Sequence, residues 1–485
     1  MGKFLKRFEL KFNKDVLKRT VQRCREKGIL IPTFKQMKNP GHIPQNVLNK
    51  LSKLGLWDVD PLNLFRINWH NDIKTGLFGK VNYVEFPREL TGVKARIIGL
   101  TGKFFPTGAH KVGAAFGCLV PKLVTGQWPS TGNYCRGGAY DCALLASPAI
   151  AILPKEMSKE RFEWLRKIGT SEIFATPGCE SNVKEIYDKC WELVKTRRNE
   201  IVIFNQFAEF GNPTWHYHVT AGAVEELYKS LRKEKNRLSA WVSATGSAGT
   251  IGAGDYLKKI SSDCRIIASE ALQCPTLLSC GFGGHRIEGI GDKHIPWVHN
   301  VRNTDLVTAI DDENCMRLLR LFNESEGKEL LKEAGISQEL VESLSLLGIS
   351  SISNMLSALK TAKFFEFNEN DMVFLPLTDS AEMYGSRLEE LNLHLGSYSR
   401  LAALVDWERY LLAEGTQNMR ELTYYDRKQL HNFKYFTWVE QQGKTVEEIN
   451  ELWDPEFWEE AFSQADIWDS YIEEFNAQTK VLETI

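Results

Sequence analysis

A chain of 485 residues is longer than one typical hydrophobic core, so the sequence predicts two or more domains. Its 43% hydrophobic and 25% charged residues are ordinary for a globular protein, and a net charge of −2 favours neither nucleic acid nor a membrane as partner. We expect no signal peptide and no membrane span. The 10 cysteines lack paired or CxxC spacing, which predicts reduced thiols, no metal site and a cytoplasmic protein.

Short β-branched runs alternate with amphipathic stretches from residue 95 to residue 380. The sequence predicts buried parallel strands at 95–100, 149–153, 200–204, 238–244, 265–268 and 372–375. A helix is predicted over 158–168, where Ser158 can cap the start and Gly169 can end it. Strands and helices in this alternation predict a doubly wound α/β fold, whose sites lie at the carboxyl ends of the strands.

The two ends of the chain carry opposite charge. Residues 1–53, the basic head, hold 14 Lys and Arg against 3 Asp and Glu, whereas residues 440–485, the acidic tail, hold 2 against 13. The C-terminal flank contains four tryptophans, namely Trp438, Trp453, Trp458 and Trp468. So much aromatic surface predicts folded helix. A further helical insertion is expected over 329–347, and we predict that the head and the tail pack together, within a chain or across a dimer.

Three glycine-containing segments follow one another at 107–111, 130–133 and 245–250. They offer, in order, a lysine amine, an asparagine amide and a set of backbone N–H groups. A lysine amine can form a Schiff base with pyridoxal phosphate, an asparagine can bond its ring hydroxyl, and N–H groups before a helix can bind its phosphate. Each segment alone has the composition of an ordinary turn. Their combination predicts a pyridoxal phosphate site.

Two of these segments have rival interpretations. Lys111 has small and apolar neighbours, which disfavours a solvated surface lysine, and Lys103 is the competing candidate. The segment 245–250 lies between the predicted strand 238–244 and a helix. A dinucleotide fingerprint at 252–257 is the lesser interpretation, because leucine stands where the third glycine belongs. An ordinary turn is the remaining alternative.

Ser380 follows the last predicted strand. A hydroxyl that faces the pyridine nitrogen would leave this nitrogen largely unprotonated, whereas a carboxylate would keep it protonated. The weaker electron sink favours loss of a group from Cβ over racemisation or transamination. A serine at this place is equally typical of a helix N-cap, and both roles are compatible.

These residues resemble the fold-type II pyridoxal phosphate enzymes, specifically the cysteine synthase and cystathionine β-synthase group. The likeness extends over about 87–390 and rests on six segments in the family's order: Lys111, 131–133, 206–207, 246–250, 289–291 and 378–380. The loop before Lys111 looks more like the tryptophan synthase β chain. Tyr134 stands where the family has a small residue, which predicts a narrower pocket.

The resemblance implies a role for each matching residue. Lys111 holds the cofactor and moves the Cα proton, Asn133 bonds the ring hydroxyl, and Ser380 meets the ring nitrogen. The remaining roles form two sets. The phosphate is assigned to Gly246, Ser247, Ala248, Gly249 and Thr250. The substrate carboxylate is assigned to Ser130, Thr131, Gly132 and Gln206.

The family also implies two doubly wound α/β domains with helical extensions. The expected large cofactor domain comprises 81–112 and 226–392, and the small mobile domain comprises 113–225. The extensions are 1–80 and 393–485. A homodimer is expected, in which the small domain closes over the substrate.

The implied reaction is β-replacement on an amino acid with a leaving group at Cβ, through an aminoacrylate, with a thiol or sulfide as co-substrate. The first alternative is β-elimination, which releases pyruvate and ammonia and shares every step up to the aminoacrylate. The second is a cofactor-free binding protein that works through its charged flanks. Neither nucleic acid nor a membrane is an expected partner.

Overall fold

The structure is a computed structural model that describes residues 2–127, 136–179, 181–197 and 201–485. Its strands are β1 (Tyr83–Phe86), β2 (Arg96–Thr101), β3 (Ile150–Pro154), β4 (Glu172–Thr176), β5 (Arg237–Ala244), β6 (Arg265–Ala271), β7 (Leu306–Ile310), β8 (Asp371–Leu377) and β9 (Met419–Glu421). The described residues form a seven-stranded sheet in the order β1-β2-β8-β5-β6-β7-β9 and a two-stranded sheet, β3-β4.

The five central strands of the large sheet are parallel, and an antiparallel strand borders each edge. Successive side chains of a strand point to opposite faces. Ile97 therefore belongs to the core on one face and Ile98 to the core on the other. Both faces are covered, which explains why these strands are almost entirely apolar.

The N-terminal helices are α1 (Leu5–Phe8), α2 (Lys14–Glu26), α3 (Phe34–Lys38), α4 (Gln45–Leu51), α5 (Arg88–Thr91), α6 (Lys111–Val124) and α7 (Arg136–Leu144). The middle helices are α8 (Lys159–Lys167), α9 (Val183–Arg197), α10 (Gly211–Trp215), α11 (Ala221–Leu231), α12 (Ile251–Ile260) and α13 (Thr276–Ser279). The C-terminal helices are α14 (Asp312–Asn323), α15 (Ser325–Glu333), α16 (Gln338–Ser343), α17 (Ile349–Phe364), α18 (Gly385–Leu395), α19 (Arg400–Trp407), α20 (Tyr424–Asn432), α21 (Lys434–Trp438), α22 (Val446–Glu451) and α23 (Pro455–Thr479).

Most of the predicted elements are confirmed: β2, β3, β5, β6, β8, α8, the insertion at α15 and α16, and the tail helix α23. The strand predicted at 200–204 is wrong, because the described residues 201–204 form no strand. Ile201 and Ile203 instead pack against the apolar cluster between β3 and α9. Their hydrophobicity reflects burial without a hydrogen-bonded neighbour strand, and an apolar run alone does not separate these cases.

The parallel strands bring their carboxyl ends to one edge of the large sheet. Thr101 at the end of β2 pairs with Leu377 at the end of β8, and β5 ends beside them at Ala244. The loops that leave these three ends carry the predicted lysine, glycine and serine segments. The helix α9 packs beside β3 and β4, and α8 contacts α7 and also α18 across this edge.

The basic head packs on the acidic tail within one chain, which confirms that prediction. The Phe34 N–H donates to Asp469 Oδ1 at 2.6 Å, and the Phe4 ring meets Phe457 with centroids 5.3 Å apart. Lys3 pairs with Asp454 at 2.5 Å. We call the contact surface between residues 1–53 and 440–485 the seam. Apolar ring contacts and main-chain hydrogen bonds, together with surface ion pairs, hold its two sides together.

Two further findings concern the described part of the chain. The structure describes nine of the cysteines, and seven of these are buried. Within this part of the chain, no single helix has both the length and the hydropathy of a membrane span. Only the pair 338–346 and 349–364, bent by 117°, reaches these values together.

Candidate active site

Lys111 is the first residue of α6, at the end of the loop that leaves β2. Its Nζ donates a hydrogen bond to the Gly289 carbonyl at 2.7 Å. The backbone N–H of His110 donates to the Thr378 carbonyl at 3.1 Å, which ties this loop to the end of β8. Burial lowers the pKa of His110 to about 4, so this imidazole is neutral beside the lysine. Lys103, the rival candidate, pairs with Glu382.

The glycine segment lies directly behind Gly289. Gly246 approaches so closely that a Cβ there would lie 2.9 Å from the Gly289 oxygen, and a Cβ on Gly249 would overlap the side chain of Asn212. Asn212 Nδ2 donates to Ser247 Oγ at 2.9 Å. Gly289 itself has φ +90, in the left-handed region, and a Cβ there would meet Lys111 Nζ at 3.0 Å. Close backbone approach thus explains why glycine occupies these positions.

Five consecutive backbone N–H groups, those of residues 246–250, donate to no acceptor in the described part of the chain. They immediately precede α12. Backbone N–H groups at the start of a helix favour an anion, because the helix dipole is positive there. The segment can therefore bind a phosphate group.

Ser380 follows β8 and is 2% exposed. Its Oγ has no hydrogen-bond partner among the described residues. It precedes a short 3-10 helix, Ala381–Tyr384, but its side chain makes no capping hydrogen bond. The prediction that the Ser380 side chain caps this helix is therefore wrong, and the hydroxyl is free to bond another group.

A cavity opens at this edge of the sheet, with about 910 Å³ of empty space that includes a part open to solvent. Lys111 and Gln206 line it, whereas Ser380 and residues 246–250 do not. The glycine segment is one residue removed, since Gly289 lines the cavity and touches both Lys111 and Gly246. The predicted residues Ser130, Thr131, Gly132 and Asn133, and also Tyr134, lie outside the described residues.

Charged side chains form the far wall of the cavity, and α8 contributes Arg161. Arg161 Nε donates to Glu288 Oε2 at 3.0 Å, and its Nη2 donates to the Tyr384 hydroxyl at 3.0 Å. The Tyr384 hydroxyl in turn donates to Asp379 Oδ2 at 2.9 Å. Burial raises the pKa of Asp379, and the nearby Arg161 opposes this effect. This network joins α8 to the loops of the large sheet.

Sequence reasoning missed this wall and also Arg136, which lines the same cavity. Arg136 begins α7, and Gly137 packs so closely that a Cβ there would lie 3.0 Å from the Lys111 carbonyl. A charged residue directly after 130–133, among glycines and alanine, was an available signal. Glu288 and Arg161 gave no such signal, because their pairing joins segments that are 127 residues apart.

Comparison with known proteins gives the chemistry a context. The family profile described as pyridoxal-phosphate dependent enzyme matches residues 106–337. The cysteine synthase of Staphylococcus aureus is 30% identical over 259 residues, which are 53% of this chain and 74% of that protein.

Solved structures show the same fold. O-acetylserine sulfhydrylase isoform 3 of Entamoeba histolytica has a TM-score of 0.54 at 23% identity and covers 69% of this chain and 94% of its own. A hydrogen sulfide-producing enzyme of Fusobacterium nucleatum has a TM-score of 0.53 at 24% identity and covers 63% of this chain and 97% of its own. The fold is that of fold-type II pyridoxal phosphate enzymes.

Pyridoxal phosphate fits the groups that the described residues leave open. Its phosphate needs hydrogen-bond donors, and residues 246–250 present five N–H groups without acceptors. Its aldehyde needs an amine, which Lys111 presents at the cavity wall. Its ring nitrogen needs a donor, and the buried Ser380 hydroxyl lacks a partner among the described residues.

Proposed function

Because this chain belongs to the pyridoxal-phosphate dependent enzymes, which act here on amino acids, we propose that it catalyses β-replacement with a sulfur nucleophile. The donor X–CH2–CH(NH3+)–COO− and the nucleophile Nu–H give Nu–CH2–CH(NH3+)–COO− and X–H. The similarity to a cysteine synthase supports sulfide or a thiol as the nucleophile and an O-substituted serine as the donor.

The proposed binding roles follow from the chemistry of each group. Residues 246–250 hold the phosphate through backbone N–H groups, and Ser380 donates to the ring nitrogen. Asn133 bonds the ring hydroxyl. The substrate carboxylate lies against Gln206 and the segment 130–132. When bound, pyridoxal phosphate supplies an electron-accepting ring that acidifies the Cα–H bond of an attached amino acid.

Lys111 performs the proton transfers. Its amine carries the cofactor at rest and, once displaced by the substrate amine, removes the proton from Cα. Departure of X from Cβ takes the bonding electron pair, and addition of the nucleophile restores a bond at Cβ. Lys111 then returns the proton to Cα. The neutral His110 beside it adds no charge that would repel the protonated amine.

The observation that carries this proposal is the Ser380 hydroxyl, which is buried and lacks a partner among the described residues. A neutral donor at the ring nitrogen leaves the ring a moderate electron acceptor. Loss of X is then faster than the slow protonations that lead to racemisation or transamination. The geometry therefore supports reaction at Cβ over reaction at Cα alone.

Product analysis tests the proposal. Wild-type enzyme is supplied with O-acetylserine, and cysteine, pyruvate and ammonia are measured with and without sulfide. We expect cysteine to form and sulfide to suppress the formation of pyruvate, since both products arise from the same species, the one that remains after X has left Cβ. Pyruvate and ammonia release that sulfide does not alter would instead identify a β-elimination lyase.

A substitution at Ser380 tests the role of this hydroxyl. Ser380→Asp should increase racemised and transaminated products relative to cysteine, because a carboxylate keeps the ring nitrogen protonated. Ser397→Asp, which makes the same change at an exposed serine, serves as control. An unchanged product ratio in folded, cofactor-loaded Ser380→Asp would contradict the proposed contact.

Three further features are part of the proposal. The small domain 113–225 closes over the substrate, with the Arg161 network as its contact to the loops of the large sheet. The enzyme is a homodimer, as the family resemblance implies. Its location is cytoplasmic, which the lack of paired cysteine spacing in the sequence supports. Sedimentation and cell fractionation would test the last two statements.

A further inference from the structure

The cavity beside Lys111 adjoins a second pocket, and the two share Thr107 and Arg136 in their walls. We call this second pocket the vestibule. It is lined by Lys103, Lys167 and Trp164, among other residues, and Glu382 is the one carboxylate among its described lining residues. Lys103 already pairs with Glu382. The approach to the lysine is therefore basic.

Arg136 stands where the vestibule meets the cavity. Its guanidinium carbon lies 4.4 Å from the centre of the Trp164 ring, which fixes the plane of the group. Its Nε is buried and has no hydrogen-bond partner among the described residues. Its Nη1 donates to the sulfur of Met383, which is a weak acceptor. No carboxylate of the described residues forms an ion pair with Arg136.

Two neighbouring arginines, by contrast, contact a carboxylate. Arg161 and Arg387 both bond Glu288, at 3.0 and 3.2 Å. Burial and the nearby Arg161 lower the pKa of Arg136 to about 10, although the carboxylates of Asp379 and Glu382 oppose this effect from a distance, so the group is still charged at neutral pH. A buried charge without a carboxylate in ion-pair contact is costly, and a cation at a helix start opposes the helix dipole. The position of Arg136 therefore costs folding free energy, and a bound anion would lower this cost.

We propose that Arg136 binds an oxyanion, a phosphate or carboxylate group, that belongs either to the substituent leaving Cβ or to the incoming nucleophile. The inference rests on the proposed β-replacement. A planar guanidinium matches such oxygens with two parallel hydrogen bonds. For a phosphorylated donor the Cβ–O bond breaks, its electron pair leaves with the phosphate, and the Cβ–S bond forms from sulfide.

Kinetics distinguish the two sources of the oxyanion. The first pair compares O-phosphoserine with O-acetylserine as donors, both with sulfide. The second compares mercaptoacetate with 2-mercaptoethanol as nucleophiles, both with O-acetylserine. In Arg136→Met the ratio of kcat/KM, anionic over neutral, should fall by roughly tenfold or more in one pair. The affected pair identifies the partner.

Direct binding separates this inference from the proposed function. Calorimetry measures the affinity of the holoenzyme for O-phosphoserine, inorganic phosphate and mercaptoacetate. We expect Arg136→Met to weaken one of these ligands by roughly tenfold or more, and Arg166→Met, an exposed arginine of α8, to leave them unchanged. Absence of turnover in the wild type together with this loss of binding would overturn β-replacement but support the oxyanion site.

The oxyanion site would be overturned if the wild type turns over its substrates but Arg136→Met changes neither kcat/KM ratio nor the affinity for any of the three ligands. Arg136→Gln provides a second neutral variant should the methionine variant fail to fold, and the same outcomes apply to it. If Arg136 served only to pack on Trp164, its substitution would lower the stability of the protein and would lower kcat/KM by the same factor for every substrate. The ratios would then stay constant, which also contradicts the proposal.

Discussion

Buried polar groups lack partners at the cavity edge of the large sheet, whereas main-chain groups between the basic head and the acidic tail are bonded across the seam, although Trp468 Nε1 there has no partner among the described residues. At the cavity edge, the N–H groups of 246–250 and the Ser380 hydroxyl have no partner among the described residues. At the seam, the Ile31 N–H donates to Asn476 Oδ1 at 3.1 Å, and Asn476 Nδ2 returns a bond to the Ile31 carbonyl at 2.7 Å.

The difference separates binding from stability. A buried group without a partner costs folding free energy and gains it back only when a ligand bonds it. A group that is already bonded stabilises the fold and has nothing left for a ligand. Substitutions at the cavity edge should therefore change activity more than stability, and those at the seam should do the reverse.

The largest effect is expected at Lys111. Lys111→Ala should lower activity by about a thousandfold or more, since the described structure offers no other amine at Gly289 to move the Cα proton. Borohydride reduction should fix no cofactor to the chain, and the thermal unfolding midpoint without cofactor should stay near the wild-type value. Lys103→Ala is the control. A reducible adduct that persists in Lys111→Ala would identify another lysine.

Removal of residues 440–485 should have the largest effect on the seam. The truncated protein should melt at lower temperature, and its residues 1–53 should become sensitive to protease. Trp468→Ala is the milder variant. The ring centroids of Trp468 and Phe34 lie 5.7 Å apart, and loss of this packing should lower the free energy of unfolding by about 3 kcal/mol. An unaltered digestion pattern of the head would contradict the importance of this contact.

The pH dependence of the seam should centre on Asp469. Burial raises its pKa to about 6, outweighing the N–H bonds from Phe34 and Lys35. The unfolded carboxyl titrates near pH 4, so the folded protein binds more protons from about pH 4 to 6, and the free energy of unfolding falls as pH rises through this window. Relative to Asp469→Asn, the wild type should lose roughly 3 kcal/mol of unfolding free energy between pH 4 and 7.

Chemical denaturation at several pH values measures this loss. Glu473→Gln, at an exposed carboxylate of the same helix α23, should keep the wild-type pH profile. Parallel profiles for wild type and Asp469→Asn between pH 4 and 7 would show that the carboxyl does not titrate in this window.

The smallest effect is expected for the outermost ion pair of the seam. Lys3→Ala should leave the melting temperature unchanged, because exposed pairs are screened by water and salt. Phe4→Ala, at the neighbouring residue, should lower it, because the Phe4 ring is buried against Phe457. Equal losses in both variants would mean that charge holds the head to the tail as strongly as apolar contact does.

Much of the fold could be predicted from local sequence. β2, β5, β6 and β8 each contain a short run of buried apolar residues, because both faces of the sheet are covered. β9 could not be predicted in this way. It is three residues long and partly exposed, and it forms only through pairing with β7, more than a hundred residues away. Residues 201–204 show the converse error, since apolar composition there does not lead to pairing.

The site divides along the same line. The positions of Lys111, the segment 246–250 and Ser380 in loops after strands could be predicted from local sequence, whereas their roles toward the cofactor stay predictions. The wall built on Arg161, Glu288 and Asp379 could not, because it joins three segments that only the fold brings together. Arg136 lies between these cases, visible in the sequence as an unusual charge but without a partner to explain it.

The sequence by itself determined the residue types and their order: a lysine after the first parallel strand, glycines after another and a hydroxyl after the last. Only the tertiary structure decided which polar groups are bonded within the chain and which are left open. Strand and turn preferences depend on neighbours a few residues apart, whereas the partner of a buried hydrogen-bonding group comes from any part of the chain. Open groups such as the Ser380 hydroxyl are therefore a property of the fold.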